Sequence, residues 1–181
     1  MPAPKILSDT LAFDGRFVRV IRRTFTNRRG KTGVWEVVRR KTYGPIVAVV
    51  AITPKHEVLL TRIFRFAQKK YVIELPAGLM DKKGEKPVRA ARRELREETG
   101  YTVKRLKKIF EAPTDAALVE GKIVVYAGFG AVKAAEPMYD DGEYMDILKV
   151  PLKNLPAFLR RMRRSALIDA KVLIIPYLLQ K

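Results

Sequence analysis

The chain has 181 residues, of which 48% are hydrophobic, and this suits one folded domain with a buried core. Because it contains no cysteine, disulfides, zinc–cysteine sites and thiol catalysis are excluded. The formal net charge of +18 attracts nucleic acids and phosphorylated metabolites, although a purely solubilising role is the alternative explanation. No segment has the roughly 20 apolar residues of a membrane span, so we expect a soluble, cytoplasmic protein without membrane contact.

The first 43 residues predict a small β arm. Residues 17–22 and 34–38 are rich in β-branched and aromatic side chains, and the turn-forming stretch 27–30 lies between them. This pattern is typical of an antiparallel hairpin. We therefore expect an N-terminal β arm over residues 1–43 and a main domain over residues 44–181.

The sequence of the main domain predicts further strands, which are followed by helices. Residues 46–52 are nearly all apolar, which is typical of a strand buried on both faces. The other predicted strands are 58–64, 71–75, 103–110, 123–129 and 145–150.

Three helices are predicted, and residues 87–99 form the clearest one. Pro87 suits a first helical turn and Gly100 suits the position just after the last one. Residues 155–164 and 168–179 predict two more helices. The order of elements indicates an α/β (α+β) fold, a mixed sheet with helices packed on it, rather than an alternating parallel fold.

The helix 87–99 carries a concentrated set of carboxylates. Glu94, Glu97 and Glu98 are spaced i, i+3 and i+4, which places them on one helix face. Like charges at these spacings destabilise a bare helix, and oxygen-rich clusters are what Mg²⁺ or Mn²⁺ prefer. A solvated face paired with the neighbouring arginines is the alternative interpretation.

A longer motif surrounds these glutamates. Gly78 precedes Glu85, and after seven further residues the chain reads Arg93-Glu94-Leu95-Arg96-Glu97-Glu98-Thr99-Gly100-Tyr101. This stretch resembles the Nudix box, Gly, five residues, Glu, seven residues, then Arg-Glu-apolar-x-Glu-Glu-x-Gly-apolar. One departure is that six residues, not five, separate Gly78 from Glu85, and we expect the loop before the helix to absorb the extra residue.

The resemblance implies a Nudix-type mixed sheet between helices and a metal-dependent hydrolase that cuts a diphosphate bond. Glu94 and Glu98 would be direct ligands of Mg²⁺ or Mn²⁺. Glu97 would be a further ligand or a carboxylate that organises water, and the Ala77 carbonyl would add another ligand. Arg93 would orient the glutamates by ion pairing, and Glu85 would tie the loop to the helix. Such an ion neutralises the diphosphate and activates water.

A general base is harder to assign from the sequence. The only histidine, His56, lies in a turn and is expected to be solvent-exposed. A second acidic cluster spans residues 140–143, and its setting resembles the late loop that supplies a glutamate in ADP-ribose-type Nudix enzymes. We predict Glu143 first and Asp141 second as catalytic carboxylates, and the alternative is a polar surface loop.

The substrate side resembles one Nudix subfamily. Residues 74–79, Glu-Leu-Pro-Ala-Gly-Leu, are similar to the lead-in of ADP-ribose and nucleoside-diphosphate-sugar pyrophosphatases. The resemblance implies substrate-binding roles for Trp35, Arg65 and Glu74. Trp35 would stack on the base, with a half-buried strand tryptophan as the alternative, and Arg65 would contact phosphate or ribose. It also implies a homodimer that exchanges its N-terminal arms.

One departure leaves the substrate open. ADP-ribose enzymes commonly have Pro-Gly in the substrate loop, whereas this chain has Pro113-Thr114. Other nucleoside diphosphate sugars such as GDP-mannose therefore remain candidates. Two rival functions also remain: a Nudix hydrolase acting on RNA 5′ ends, which the charge would suit, and a non-catalytic nucleotide- or nucleic-acid-binding Nudix module.

Overall fold

The computed structural model describes residues 3–139 and 145–178. The strands are β1 (Lys5–Asp14), β2 (Val18–Thr26), β3 (Thr32–Arg40), β4 (Ile46–Ile52), β5 (Glu57–Arg65), β6 (Lys70–Glu74), β7 (Ala77–Gly78), β8 (Tyr101–Thr102), β9 (Lys107–Asp115), β10 (Val119–Phe129), β11 (Val132–Lys133), β12 (Met145–Pro151) and β13 (Leu167–Ile168). The α-helices are α1 (Pro87–Thr99), α2 (Leu155–Met162), α3 (Ala170–Leu173) and α4 (Ile175–Leu178). None of the helices in these ranges is long and apolar enough to cross a membrane.

Within the described ranges, eleven strands form one mixed sheet. Its main order is β1-β2-β3-β10-β4-β5-β6-β13, while β7, β9 and β12 pair with β4, β10 and β5. The pairs β10–β4 and β13–β6 are parallel, and the pairs β4–β5 and β5–β6 are antiparallel. The prediction of a mixed sheet is confirmed.

Strand β4 explains why the sheet lies between helices. Its alternate residues Ala48, Val50 and Ile52 belong to a core with α2, α3 and α4, and the intervening residues belong to a second core with α1. Successive side chains of a strand point to opposite faces, so a strand covered on both sides must be apolar throughout. The expected sandwich of a mixed sheet between helices is therefore confirmed.

The N-terminal strands form an antiparallel ribbon. The predicted hairpin is present, since β2 and β3 pair along their lengths and the Gly30 N–H in the turn between them donates to the Asn27 carbonyl (3.0 Å). Strand β1 pairs with β2 and was not predicted. The ribbon joins the remaining sheet where Val38 pairs with Val119 of β10. The division into an arm and a main domain stays a prediction.

Two predicted elements were wrong in their bounds. The strand expected over 103–110 is β9, which begins at Lys107 and continues to Asp115, so Pro113 and Thr114 lie in a strand paired with β10 rather than in a loop. The helix expected over 168–179 is instead the strand β13 followed by two short helices. Asp169 starts the first of these by accepting a hydrogen bond from the Lys171 N–H (2.7 Å).

Candidate active site

Helix α1 carries the predicted carboxylates, and its local sequence explains both of its ends. Pro87 occupies the first turn, where no backbone N–H is needed. Gly100 has a φ of +72°, a conformation that ends a helix and that glycine adopts without steric cost. Ala90, Ala91 and Leu95 are fully buried against the sheet. This packing fixes the rotation of the helix and so decides where its glutamates point.

Glu94 and Glu98 both lie against the short strand β7. The Ala77 N–H donates to Oε2 of Glu98 (2.9 Å). A Cβ atom added to Gly78 would overlap the Glu94 carboxyl group, so only glycine leaves room for it. Pairing of β7 with β4 holds this backbone segment in place. The two residues predicted as direct metal ligands are therefore adjacent to one backbone segment.

Replacing Gly78 by alanine should disable the site without unfolding the protein. The new methyl group must displace the Glu94 carboxyl group, and a displacement of about 1 Å at a reacting centre can cost roughly 100-fold in rate. We expect a loss of kcat/KM of that order with a small change in melting temperature. Gly121→Ala is the matched control, because a Cβ there meets only ordinary contacts at 3.5 Å. Wild-type kcat/KM in Gly78→Ala would contradict this placement of Glu94.

Arg93 is the centre of an ion-pair network around the glutamates. One of its terminal nitrogens lies 2.7 Å from Glu94 and 2.8 Å from Glu97. The other lies 3.2 Å from Glu85 and 3.0 Å from Asp81. Its side chain is only 16% exposed, so these interactions are weakly screened. Arg93 thus contacts Glu94 and Glu97, and Glu85 is joined to α1 through Arg93; the orienting role of Arg93 stays a prediction.

Glu94 lies in a largely buried environment. Its side chain is 13% exposed, and burial raises its pKa to about 7 even though the neighbouring Arg93 acts in the opposite direction. Arg92 does not pair with Glu94, because its guanidinium donates hydrogen bonds to the backbone carbonyls of Val103 and Lys104. The helix face is therefore not simply solvated at Glu94, although the pairing with a neighbouring arginine that the alternative interpretation expected is present at Arg93.

The donor set suits a hard divalent cation. Carboxylate oxygens of Glu94, Glu97 and Glu98, together with backbone of β7, are the oxygen ligands that Mg²⁺ and Mn²⁺ prefer. Across residues 3–139 and 145–178, no three acidic, histidine or cysteine side chains converge as a ready-made metal cluster. Arg93 contacts the carboxylates of Glu94 and Glu97, and the Ala77 N–H donates to that of Glu98. The three glutamates thus have the chemistry that such a cation requires, and two of them, Glu94 and Glu98, lie together at β7.

The loop between β7 and α1 absorbs the extra residue of the motif. Glu85 still reaches Arg93 from the end of this loop, with both of its oxygens at 3.2–3.3 Å. Asp81, in the same loop, is a partner of Arg93 that sequence reasoning missed. Only the tertiary fold could identify it, since the motif assigns no residue type to that position.

The predicted substrate residues Arg65 and Glu74 are joined to each other. The Arg65 guanidinium donates two parallel hydrogen bonds to the Glu74 carboxylate (2.9 and 2.6 Å). Glu74 is 13% exposed and Arg65 is 41% exposed, so the arginine presents the accessible side of the pair. Glu74 ends β6, three residues before Ala77. The pair is therefore close along the chain to β7, which contacts Glu94 and Glu98 of the glutamate face, the side of α1 formed by Glu94, Glu97 and Glu98.

Trp35 lies at a different place, in β3 of the N-terminal ribbon. Its indole N–H donates to the Ala117 carbonyl (2.7 Å), and the ring is 53% exposed. It lines a cavity of about 400 Å³ together with Phe25, Arg23 and Leu118. None of the α1 glutamates lines this cavity. Within one chain, Trp35 is thus not brought to the glutamate face.

Of the three remaining residues singled out in the sequence, the structure describes one and leaves two outside its described part. His56 is exposed in a turn, with a φ of +56°, as predicted. Asp141 and Glu143 lie outside the described residues. The last described residues before them reach α1, since the Met138 N–H donates to the Glu97 carbonyl (2.8 Å). Burial raises the pKa of Tyr139, and the negative charge of Glu98 adds to this effect.

Comparison with known proteins places these features in a family. The NUDIX domain matches residues 42–168. The chain is 28% identical to the methanol dehydrogenase activator of Bacillus methanolicus, over 97% of this chain and 92% of that protein. It is 29% identical to the ADP-ribose pyrophosphatase of Bacillus subtilis, over 92% of this chain and 87% of that protein.

A solved structure agrees in fold. The crystal structure of an ADP compounds hydrolase superimposes with a TM-score of 0.81 at 20% sequence identity, covering 99% of this chain and 94% of that one. The domain match spans most of the chain, including the glutamate face, Arg93 and the β7 segment. The protein therefore belongs to the NUDIX domain family and is a Nudix hydrolase.

Proposed function

We propose that the protein hydrolyses the diphosphate bond of ADP-ribose or a related nucleoside diphosphate sugar, giving a nucleoside monophosphate and a sugar phosphate. The observation that carries the proposal is the meeting of Glu94 and Glu98 at β7, with Arg93 bound to Glu94. The name of the relative from Bacillus subtilis supports this substrate class. A non-catalytic module would be expected to lack glutamates of α1, and Glu94, Glu97 and Glu98 are all present.

Nudix ADP-ribose pyrophosphatases generally use divalent metal ions, and we propose Mg²⁺ or Mn²⁺ here. Glu94, Glu98 and the Ala77 carbonyl would hold the ion, with Glu97 as a further ligand. When bound, it would neutralise the diphosphate and acidify the attacking water. Arg93 fixes Glu94 and Glu97 in position, and the Ala77 N–H fixes Glu98. Such fixed geometry is what positions reacting groups before the reaction.

We propose Glu143, and after it Asp141, as the carboxylate that accepts a proton from the attacking water. The support is the anchoring of the preceding chain on α1 by the bond from Met138 to Glu97. Exposed His56, in a turn between β4 and β5, offers no alternative base at the glutamate face. Glu143→Gln should lower kcat more than Asp141→Asn, measured with saturating substrate. Equal turnover in wild type and Glu143→Gln would remove this assignment.

A substrate panel with product identification tests the proposed reaction. ADP-ribose, GDP-mannose and a 5′-triphosphorylated RNA are each incubated with Mg²⁺, with Mn²⁺ and with a chelator. We expect hydrolysis of a sugar nucleotide to a nucleoside monophosphate and loss of activity with the chelator. Faster cleavage of the RNA end than of every sugar nucleotide would replace the proposed substrate class.

We also propose that the N-terminal ribbon is exchanged in a homodimer and that Trp35 then stacks on the base of the substrate. In support, β1 exposes Ile6, Leu11 and Phe13, each more than half accessible in the single chain. Exposed apolar surface of this kind marks association sites. Trp35 is the sole tryptophan, so its fluorescence reports its own surroundings. Light scattering should give a dimer, and ADP-ribose should quench the fluorescence; a monomer with unquenched Trp35 would contradict both points.

A further inference from the structure

A second group of charged and aromatic side chains lies away from the glutamate face. A cavity of about 320 Å³ is lined by the end of β5, the start of β6 and the chain between α2 and β13. We call it the basic pocket and define it by Lys69, Lys70, Arg163, Arg164, Phe64 and Tyr71. All six side chains belong to exposed residues. None of them has a role in the hydrolysis proposed above.

The described part of the basic pocket carries an excess of positive charge. Four cationic side chains line it, and among residues 3–139 and 145–178 no acidic side chain does. Two carboxylates on the adjoining strands are already engaged, Asp146 by Arg62 (2.8 Å) and Glu74 by Arg65 (2.6 Å). In the described part of the chain, none of the four cations forms an ion pair. Like charges held this close repel one another, so an anion is the natural occupant.

Aromatic rings continue out of the basic pocket as a ladder, which we define as Tyr71, Phe64 and Phe66. Tyr71 and Phe64 are in edge-to-face contact with centroids 5.4 Å apart, and Phe64 and Phe66 are likewise 5.5 Å apart. Arg62 lies over the Tyr71 ring at 3.7 Å. Phe66 ends the ladder with 79% of its surface accessible. A ring this exposed, joined to the pocket through Phe64, is accessible for stacking.

We propose that the basic pocket and the aromatic ladder bind a single strand of nucleic acid. Cations that track a phosphodiester backbone, combined with rings on which bases stack, are what single-strand-binding surfaces share. An isolated phosphate would use the cations and leave the ladder unused. Lys70 begins β6 opposite Arg65, and Glu74 ends it, so Lys70 lies roughly 13 Å along the strand from Glu74, at about 3.3 Å per residue.

Fluorescence anisotropy with a labelled ten-nucleotide strand tests the proposal on the full chain. The strand carries a 5′-hydroxyl and therefore no diphosphate to cleave, and RNA and DNA versions of one sequence are compared. Four phosphate contacts should give a slope of log K against log salt of roughly −3. We expect Arg163→Glu combined with Arg164→Glu to weaken binding at least about 10-fold and to flatten this slope.

The matched charge control is Arg29→Glu combined with Lys31→Glu. It makes the same change in net charge in the β2–β3 turn, and β2 and β3 are separated from β6 by β10, β4 and β5 in the sheet. The proposal requires this control to bind the strand more tightly than the basic-pocket variant. Equal weakening would mean that only the overall charge attracts nucleic acid, and that result would overturn the assigned surface.

Phe66→Ala separates stacking from charge. Stacking on one ring contributes enough that its removal should weaken binding roughly 5- to 150-fold. Phe129→Ala is the matched control, since Phe129 is 64% exposed at the end of β10. Unchanged binding by Phe66→Ala, or inorganic polyphosphate binding as tightly as the strand, would reduce the surface to a simple anion site and overturn the proposal.

The outcome is independent of the proposed hydrolysis. The basic-pocket variant should retain wild-type kcat/KM for the sugar nucleotide, because none of its residues is placed in the active site. Strand binding by a protein that cleaves no sugar nucleotide would remove the proposed function and leave this surface standing. Hydrolysis of the sugar nucleotide without binding of the strand would overturn this surface and leave the proposed function standing.

Discussion

Glu98→Gln should remove most of the hydrolytic activity while leaving the fold intact. The substitution removes one negative charge from the proposed metal ligands and keeps an oxygen that can accept from the Ala77 N–H. Changes to groups that merely support metal ligands cost about 10- to 100-fold, so a direct ligand should cost at least 100-fold in kcat. Steady-state kinetics with saturating Mg²⁺ measure the loss of activity, and thermal unfolding measures whether the fold is retained.

Glu136→Gln is the control for that experiment. Its side chain is 82% exposed and pairs with Lys133, outside the glutamate face. It makes the same change of charge and size, and we expect wild-type kinetics. Normal turnover in Glu98→Gln would remove Glu98 from the ligand set, whereas a large loss in both variants would point to net charge instead.

Arg93→Met should be the most destabilising single change at the site. It leaves the Glu85 and Glu94 carboxylates, which are 11% and 13% exposed, without their cation. Removing one partner of a buried ion pair costs about 3–5 kcal/mol in the free energy of unfolding. For a chain of this length that corresponds to a fall in melting temperature of roughly 6–15 °C. Activity should also disappear, because Glu94 and Glu97 lose their orientation.

Arg93→Lys and Arg96→Met are the comparison variants for this prediction. Lysine keeps the charge but cannot contact four carboxylates with a planar fork, so its stability should lie between wild type and Arg93→Met. Arg96 is exposed on the same helix, and its removal should change the free energy of unfolding by less than about 0.5 kcal/mol. Urea denaturation measures all three. Equal stability of Arg93→Met and Arg96→Met would show that the network contributes nothing to the fold.

The sequence predicted elements whose signals are local. The helix Pro87–Thr99 is present with both ends as expected, because proline and glycine act on the backbone next to them. The apolar run Ile46–Ile52 is buried on both faces for the reason its composition indicated. The spacing of Glu94 and Glu98 placed them on one face, since helical geometry depends only on the count of residues.

Elements whose signals are not local were missed or misplaced. Strand β1 is fully exposed, and irregularities in its pairing with β2 at Ile6–Ser8 and Leu11–Phe13 break the alternation that would reveal a strand. The segment 168–179 has helical spacing of apolar residues, yet Leu167 and Ile168 pair with β6. Pairing with a distant strand outweighed the local preference there.

The sequence by itself determined the family, the mixed sheet with its helices and the identity of the glutamate face. The tertiary structure decided what surrounds that face: Asp81 beside Arg93, the Ala77 N–H on Glu98, and Gly78 as the only residue that leaves room for Glu94. It also separated Trp35 from the glutamates within one chain and gathered four cations from two distant segments into the basic pocket. These are contacts between residues far apart in the chain, and they arise from packing, which neither spacing nor composition records.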